Sequence, residues 1–225
     1  MLGKRLRATE LDMCGAVVPG TSQQVVTDGF ITVTISSETE DGNSILVRNA
    51  SGAICVNERM ADSFLRFTVE VEFCGVNPDL LSIVSNAEPY EDAAGDVAGF
   101  TVGEGELTKA FALELWMGMA GQACAPGQTG EASAYLLLPY VRSGVLGDIT
   151  IDGENQVTFS ITNSYTVGGN DWGVGPYDVV FNDEETPAPA PLPTAIDAYD
   201  HLLLVDTAVA PPPVACEAAL VPSGG

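Results

Sequence analysis

The chain is short of basic side chains. Its 225 residues include 8 Lys and Arg against 31 Asp and Glu, which gives a formal net charge of −23. Three of the basic residues (Lys4, Arg5 and Arg7) lie at the start, so five remain to balance the acids that follow. Such a surface repels nucleic acid and anionic membranes. It excludes a basic patch of the kind that binds phosphate.

Histidine and paired cysteines are also scarce. The single histidine, His201, follows Asp200, and no G-x-S-x-G sequence occurs, so we interpret His201 as a surface residue at a strand end rather than part of a catalytic triad. One histidine without ligand spacing predicts no zinc site, and we expect no metal and no cofactor. Five cysteines lie apart, without a C-x-x-C pair: Cys14, Cys55, Cys74, Cys124 and Cys216. We predict reduced thiols, packed as small apolar groups in a protein assembled in the cytoplasm.

Long apolar runs are absent. The most apolar segment, AYLLLPYV at 134–141, is short, contains Pro139 and is followed by Arg142. We therefore predict no membrane span. The start, MLGKRLRATELD, has a basic cluster without an apolar stretch after it, which predicts no secretory signal.

Alternation of apolar and polar residues is the strongest positive pattern. In FLRFTVEVEFCG, at 64–75, one face holds Phe67, Val69, Val71 and Phe73, and the other holds Thr68, Glu70 and Glu72. This period of two predicts a strand with one buried and one wet face. We expect the wet face to carry two carboxylates and no basic group, which is unusual for a solvated strand.

Two further segments show the same alternation. FITVTIS, at 30–36, sets Thr32 and Thr34 opposite its apolar residues. In residues 156–167, Val157, Phe159 and Ile161 alternate with Thr158, Ser160 and Thr162. Asp152-Gly153 precedes the latter segment and predicts a hairpin with residues 145–151. We also predict a loop at 38–43 and a return strand at 44–49.

One short helix is predicted after the 64–74 strand. Asn77 suits the N-cap, Pro78 the first helical position, and Asp79 the positive end of the helix dipole. The helix ends before Pro89, and we predict an acidic loop at 88–96. The fold class is therefore mainly β with one short flanking helix.

Composition divides the chain into three parts. We predict an N-terminal arm at 1–28, a β domain at 29–182, and a Pro/Ala-rich linker with a C-terminal arm at 183–225. The arm contains one apolar strand, HLLLVDT, which has little core of its own and must dock on the main domain or on a neighbouring copy. The second option makes these residues candidates for inter-subunit contact: Leu202, Leu203, Leu204 and Val205.

Catalytic constellations are nearly absent. The glycine-rich loop at 168–180 has neither a Lys nor a helix start, so we predict a structured turn held by Trp172 rather than a phosphate site. Asp92 and Asp96 lack EF-hand spacing. Carboxylate pairs are plentiful enough to arise by chance, so they do not indicate a glycosidase. We expect that the protein is not an enzyme.

Several long stretches carry a family resemblance. They are CVNERMADSFLRFTVEVEFCGVNPDLLSIVSNAEPYEDAAGDVAGF, ALELWMG, GDITIDGENQVTFSITNSYTVGGNDWGVGPYDVV and LPTAIDAYDHLLLVDTAVAPPP. Over about residues 14–216 the chain resembles the major tail proteins (tail tube proteins) of long-tailed, siphovirus-type bacteriophages of actinobacterial hosts.

The resemblance implies a structural virion protein. Tail tube proteins form hexameric rings that stack helically, and long strands from six subunits join into one β-barrel around a channel. The implied partners are other copies of the chain, the tape measure protein, the tail terminator and distal tail proteins, and double-stranded DNA in transit. The implied location is the virion tail, assembled in the host cytoplasm.

The resemblance also suggests where the wet strand faces point. We expect eight residues to face the lumen of the tube: Thr32, Thr34, Thr68, Glu70, Glu72, Thr158, Ser160 and Thr162. Six copies at −23 each would carry −138 formal charges, so DNA would meet a surface without adhesive contacts. Alternatively, Glu70 and Glu72 lie on the outer surface and aid solubility.

A second class of protein shares the strand pattern. An Ig-like β-sandwich that binds to or decorates a virion would show similar strands and acidity. The C-terminal arm discriminates the two, because a monomeric module has no need for an apolar strand behind a stiff linker.

Overall fold

The computed structural model describes residues 3–75, 77–118, 132–151, 153, 157–182, 187–215 and 217–222. Within these ranges the chain is mainly β with one short helix, as the sequence predicts. The elements are β1 (Gly3–Glu10), β2 (Gln23–Thr27), β3 (Phe30–Glu40), β4 (Ser44–Arg48), β5 (Ile54–Arg59), β6 (Ser63–Cys74), α1 (Pro78–Val84), β7 (Ala87–Glu91), β8 (Val97–Val102), β9 (Ala110–Gly118), β10 (Ser133–Arg142), β11 (Val145–Ile151), β12 (Val157–Thr166), β13 (Val180–Phe181), β14 (Pro189–Ala190), β15 (Leu203–Thr207) and β16 (Ala219–Leu220).

One antiparallel sheet of ten strands organises the molecule. Its order is β16–β2–β1–β9–β10–β12–β6–β3, with β11 paired to β12 and β15 paired to β10. Three two-stranded sheets lie outside it, formed by β4–β5, β7–β8 and β13–β14. Within the described residues, no helix has both the length and the apolar character that crossing a bilayer requires.

The main core lies between two halves of this sheet. Leu6, Val25 and Leu113 come from the β2–β1–β9 half, and Val71 and Ile161 come from the β6–β12 half. Apolar residues of α1 complete the cluster: Leu80, Leu81, Ile83 and Val84. The two halves therefore pack face to face, in the manner of a β-sandwich.

The helix follows from its N-terminal sequence. The Asn77 side chain accepts a hydrogen bond from the Leu80 backbone N–H at 3.2 Å, and Pro78 occupies the first turn. The helix ends at Val84, and the hydroxyl of its C-cap residue, Ser85, donates to the Leu81 carbonyl at 2.7 Å. This element confirms the prediction from the capping residues.

A second core covers the outer face of the β9–β10 pair. Trp116, Tyr135 and Leu137 point into it from the sheet, and Trp172 and Leu192 cover them from the chain that follows β12. Both faces of β9 are therefore buried. The predicted role of Trp172 is confirmed, and the loop around it uses glycines with positive φ at Gly168, Gly173 and Gly175.

Residues 1–28, for which the sequence predicts an arm, contribute two strands to the main sheet. β1 lies between β2 and β9, and Leu6 and Ala8 have no exposed surface. The alternation of GKRLRATE is hidden because both of its faces are buried and one of them carries Arg7. In a sequence, an arginine is usually taken for a surface residue, and Arg7 therefore hid the buried strand. The prediction of an N-terminal arm was wrong.

The C-terminal residues run back across the same domain. β15 pairs antiparallel with β10, placing Leu203 opposite Leu137 and Val205 opposite Tyr135. β16 then pairs with β2, and Val221 is buried. Of the two options that the sequence left open, the chain in this structure takes docking on its own domain.

Three local predictions are corrected in the hairpin regions. Glu38 and Glu40 continue β3 instead of forming a loop, because β3 pairs with β6 up to the contact of Glu40 with Ser63. The segment 44–48 is a strand, as predicted, but it pairs with β5 rather than returning along β3. The acidic segment 88–96, predicted as a loop, supplies most of β7 and the turn that leads to β8. The Asp92 side chain closes this turn by accepting hydrogen bonds from the N–H groups of Ala94 and Asp96.

Three of the cysteines are exposed free thiols, which corrects the prediction that they pack as small apolar groups. They are Cys14, Cys55 and Cys74. Cys74 points outward because it follows the wet-face alternation of β6, opposite Thr158. Cys124 and Cys216 lie outside the described residues.

Candidate functional site

Four neighbouring strands, β3, β6, β12 and β11, form a layer with one polar face. Across it, Thr32 and Ser160 both pair with Glu72, and Thr34 pairs with Glu70. Paired residues in a sheet share a face, so these side chains lie on one surface. The sequence predicted them from separate strands, and the structure brings them together.

This polar face contains a shallow depression of ≈ 170 Å³. Six of the eight predicted residues line it, together with Val71: Thr32, Thr34, Glu70, Glu72, Ser160 and Thr162. The other two extend the same face, since Thr68 lies opposite Ser36 and Thr158 opposite Cys74. All eight are exposed or half-buried.

One basic residue does lie on the polar face, which corrects the expectation of none. Arg66 follows the same alternation as Thr68 and Glu70, and its Nε donates to Glu38 Oε2 at 2.6 Å. Its guanidinium also lies 4.9 Å from the ring centroid of Tyr165. Glu38 therefore neutralises Arg66 at one end of the face. Within the described residues, Glu70 and Glu72 have no ion pair.

β11 adds to the face through its bulge, which the sequence did not reveal. The register shifts between Leu146 and Ile149, and the Ser160 hydroxyl accepts the Asp148 N–H at 2.8 Å. Gly147 lies against Ser160, where a Cβ would come within 2.7 Å of its hydroxyl oxygen. The sequence feature that could have indicated this bulge is Gly147, because a glycine permits close approach of the backbone.

Both outer edges of this four-stranded layer are open. Among the described residues, β3 pairs only with β6, and β11 pairs only with β12. Each pairing is antiparallel, so β3 and β11 run in opposite directions. The β3 edge of one copy could thus continue the antiparallel pattern by pairing with the β11 edge of the next.

Apolar side chains accompany the open edges. Ile149 and Ile151 lie opposite Phe159 and Val157, on the core side of the sheet, yet Ile151 is 75% exposed. On β3, Ile31 is also exposed. Apolar residues on the core side of an edge strand are normally covered, whereas Ile149 and Ile151 are exposed beside an unpaired edge.

A buried charge network lies on the opposite side of the molecule. Arg7 donates to both Glu114 oxygens, at 2.5 and 2.6 Å, and the Tyr135 hydroxyl donates to Glu114 at 2.6 Å. Tyr177 covers the guanidinium at 3.2 Å from its ring centroid. Burial and the Glu114 charge raise the pKa of Tyr135 well above its usual range, and burial raises the pKa of Tyr177 to about 12.

This network has no space for a ligand. The gap lined by Glu114, Tyr135, Trp172 and Tyr177 is too small to hold a water molecule. The ionised groups of the network, Arg7 and Glu114, pair with each other. The network therefore joins β1, β9, β10 and the 168–180 loop. Among the residues that the structure describes, no group of three or more His, Cys, Asp and Glu side chains could hold a metal ion.

His201 is part of a packing contact. Its Nδ1 lies 2.7 Å from Thr166 Oγ1, and its ring meets Phe64 edge-on at 5.1 Å between centroids. Burial lowers the pKa of His201 from 6.5, against an opposing effect of Asp200. The residue thus links the start of the β15 segment, including Leu202, to β12 and β6.

Comparison of the chain with protein-family models and with curated protein sequences gave no match.

Proposed function

We propose that this protein is a tail tube protein: it assembles into stacked hexameric rings that form the tube of a long-tailed bacteriophage. The observation that carries the proposal is the β3–β6–β12–β11 layer, which has a polar outer face and two open edges. A ring built by pairing β3 to β11 would contain four strands from each copy. Because four is an even number, the antiparallel alternation would continue round the ring and close without an exposed edge.

The polar face then becomes the lining of the channel. Its hydroxyls and the carboxylates of Glu70 and Glu72 form no salt bridges with phosphate, and the one cation among the described residues of its four strands, Arg66, pairs with Glu38. DNA could slide past such a surface, whereas free Lys or Arg would bind it. The lining would serve first the tape measure protein and then the genome during ejection.

The remaining roles follow from the same proposal. The tube would meet the tail terminator at one end and distal tail proteins at the other, and it would be assembled in the host cytoplasm and remain in the virion. The chain acts as a structural protein without catalytic chemistry or cofactor.

An Ig-like decoration module is the second candidate, and the docked C-terminal segment favours it, because β15 binds its own domain in this structure. The two functions differ in self-assembly. A decoration module stays monomeric, and its exposed edges serve no partner of the same chain.

Electron microscopy of the purified protein at rising concentration, with light scattering alongside, tests the proposal. We expect six-fold rings or tubes with an open channel. The double variant Ile149→Lys with Ile151→Lys should stay monomeric and folded, because charges on an edge strand prevent edge pairing. Val214→Lys is the control, because Val214 is exposed and the N–H of its neighbour Ala215 bonds to Val26 of β2 rather than to β3 or β11; this variant should still assemble.

A strictly monomeric wild-type protein, even with a cognate tail-tip complex as initiator, would overturn the proposal. Equal assembly of the Ile149/Ile151 variant and the Val214 control would overturn the assigned edges.

A further inference from the structure

The proposed β3–β11 contact between copies has more than one available register. Side chains of β3 alternate between the core side and the polar face, with Ile31, Val33 and Ile35 on the first and Thr32, Thr34 and Ser36 on the second. Pairings with β11 that differ by two residues therefore leave every side chain on the same face. Alternation does not choose between these pairings, so a further contact has to fix the register.

The two open edges differ in length. β3 spans 11 residues and β11 spans 7, so β3 is longer by four residues, or about 14 Å of extended chain. The exposed residues Ile31 and Ile151 cover each other when the start of β3 meets the end of β11. In this arrangement the surplus lies at the C-terminal end of β3, which passes Val145, the first residue of β11.

The chain that this surplus meets is the end of β10. Val145 pairs with Thr162 and Arg142 pairs with Tyr165, so β10 and β11 follow the same edge of β12. Tyr165 in turn pairs with Thr68, and paired residues share a face. Arg142 therefore borders the polar face, on the same side of the sheet, at the place where β3 of a neighbouring copy would end.

Arg142 has no acceptor among the described residues of its own copy. The residue is half-buried, and its Nε is shielded from solvent without a hydrogen-bond partner. The nearby Lys109 differs, because its Nζ lies 3.7 Å from Glu88 Oε1 and its carbonyl accepts the Ser143 N–H at 3.2 Å. A half-buried guanidinium without a counter-charge is unfavourable, and a carboxylate at its terminal nitrogens would relieve this cost.

The end of β3 carries such a carboxylate. Glu40 is exposed and has no cationic partner within the part of the chain that the structure describes. It keeps the alternation of β3, because the bulge beside it places the extra residue, Leu65, in β6. Glu38, on the same face, already accepts a hydrogen bond from Arg66 Nε at 2.6 Å. Glu40 is therefore the carboxylate at this end of β3 that remains for another copy.

We propose that Glu40 of one copy forms an ion pair with Arg142 of the next copy in the ring, and that this pair fixes the register of the β3–β11 contact. This inference rests on the proposed function and deepens it by naming the residues that align one copy with its neighbour. A slip of two residues moves the carboxylate about 7 Å along the strand, so one pairing keeps the contact and the others lose it. The ion pair also leaves Arg142 without a free charge to bind DNA.

A charge exchange tests the pair. Glu40→Arg or Arg142→Glu places like charges together and should raise the protein concentration needed for rings about tenfold, measured by mass photometry. Combining the two substitutions in one chain should restore assembly, because opposite charges then meet in exchanged positions. Asp206→Arg makes the same change of charge on β15, which pairs with β10 rather than with β3 or β11, and this control should assemble as the wild type does.

Zero-length cross-linking tests the contact directly. Arg142→Lys keeps the positive charge and supplies an amine, which a carbodiimide couples to a carboxylate that touches it. In rings assembled from a mixture of isotope-labelled and unlabelled copies, mass spectrometry should detect a link from Glu40 to position 142 between a labelled and an unlabelled peptide. Adding Glu40→Gln should remove this link, whereas adding Asp206→Asn should leave it unchanged.

The outcomes distinguish the ion pair from the ring itself. Rings that form without the Glu40 link, or with the amine coupled to Glu38 instead, would overturn the assigned register. A combined exchange variant that assembles no better than Glu40→Arg, with both folded by circular dichroism, would overturn the ion pair. A wild-type protein that forms no rings would instead overturn the proposed function.

Discussion

Glu114 and Glu72 are both carboxylates on long strands of the same sheet, and their surroundings are opposite. Glu114 is fully buried and receives three hydrogen bonds, two from Arg7 and one from Tyr135. Glu72 lies on the polar face between Thr32 and Ser160, and no described cation pairs with it. Contacts within the fold account for the charge of Glu114, whereas no contact among the described residues accounts for the charge of Glu72.

Because of this difference, we expect substitution of Glu114 to change the stability of the fold and substitution of Glu72 to change its function. A buried ion pair is strongly coupled to its neighbours, so removing one partner leaves the other charged and unsolvated. An exposed carboxylate keeps its water and contributes little to stability. Measurements of unfolding should therefore detect substitution of Glu114, and assays of function should detect substitution of Glu72.

Breaking the buried pair should have the largest effect. Glu114→Ala leaves Arg7 buried without a counter-charge and should lower the free energy of unfolding by about 3–5 kcal/mol in urea denaturation. Replacing both partners, Arg7→Met with Glu114→Leu, should recover much of that loss. A double variant no more stable than Glu114→Ala would contradict the assigned pairing.

Removing one hydrogen bond from the network should cost less. Tyr135→Phe keeps the ring against Trp116 but deletes the donor to Glu114, and we expect a loss of about 1.5–3 kcal/mol, the range for a bond to a charged group. Tyr199→Phe, at an exposed ring, is the matched control for thermal denaturation and should leave the melting temperature unchanged.

His201 is intermediate between the two environments, and its effect should depend on pH. Its folded pKa lies below the unfolded value of 6.5, so protonation favours the unfolded chain. The contribution of neutral His201 to the free energy of unfolding is present in full above pH 6.5, and it is lost as the pH falls through the pKa of the folded state. His201→Gln should show a shallower loss of melting temperature than the wild type between about pH 7 and about pH 5. Parallel curves would contradict the assignment.

Changing the wet carboxylates should affect stability least. Glu70→Lys with Glu72→Lys should shift the free energy of unfolding within about 0.5 kcal/mol, because both groups face solvent. Under the proposed function, the same variant should retain DNA in assembled tubes at low salt and release it at high salt. The isosteric pair Glu70→Gln with Glu72→Gln is the control and should retain none. DNA retention equal in the two variants would contradict a lumen position.

The visibility of a strand in the amino-acid sequence depends on how its two faces are buried. Strands with one wet face were predicted because their period of two is visible, as in β6 and β12. β1 was missed because Arg7 sits in a strand buried on both faces, and alternation cannot reveal such a strand. The partner of β3 was also missed, because β6 lies beyond an intervening hairpin and local patterns do not encode distant pairing.

The amino-acid sequence by itself determined the strand-rich class, the single capped helix and the polar residues of three strands. These depend on local periodicity and on capping, which act over a few residues. Only the tertiary structure decided that Thr32, Glu72 and Ser160 share one face, that β3 and β11 leave open edges, and that Glu114 meets Arg7. Those features depend on register between strands up to 128 residues apart, and register is set by packing across the whole sheet.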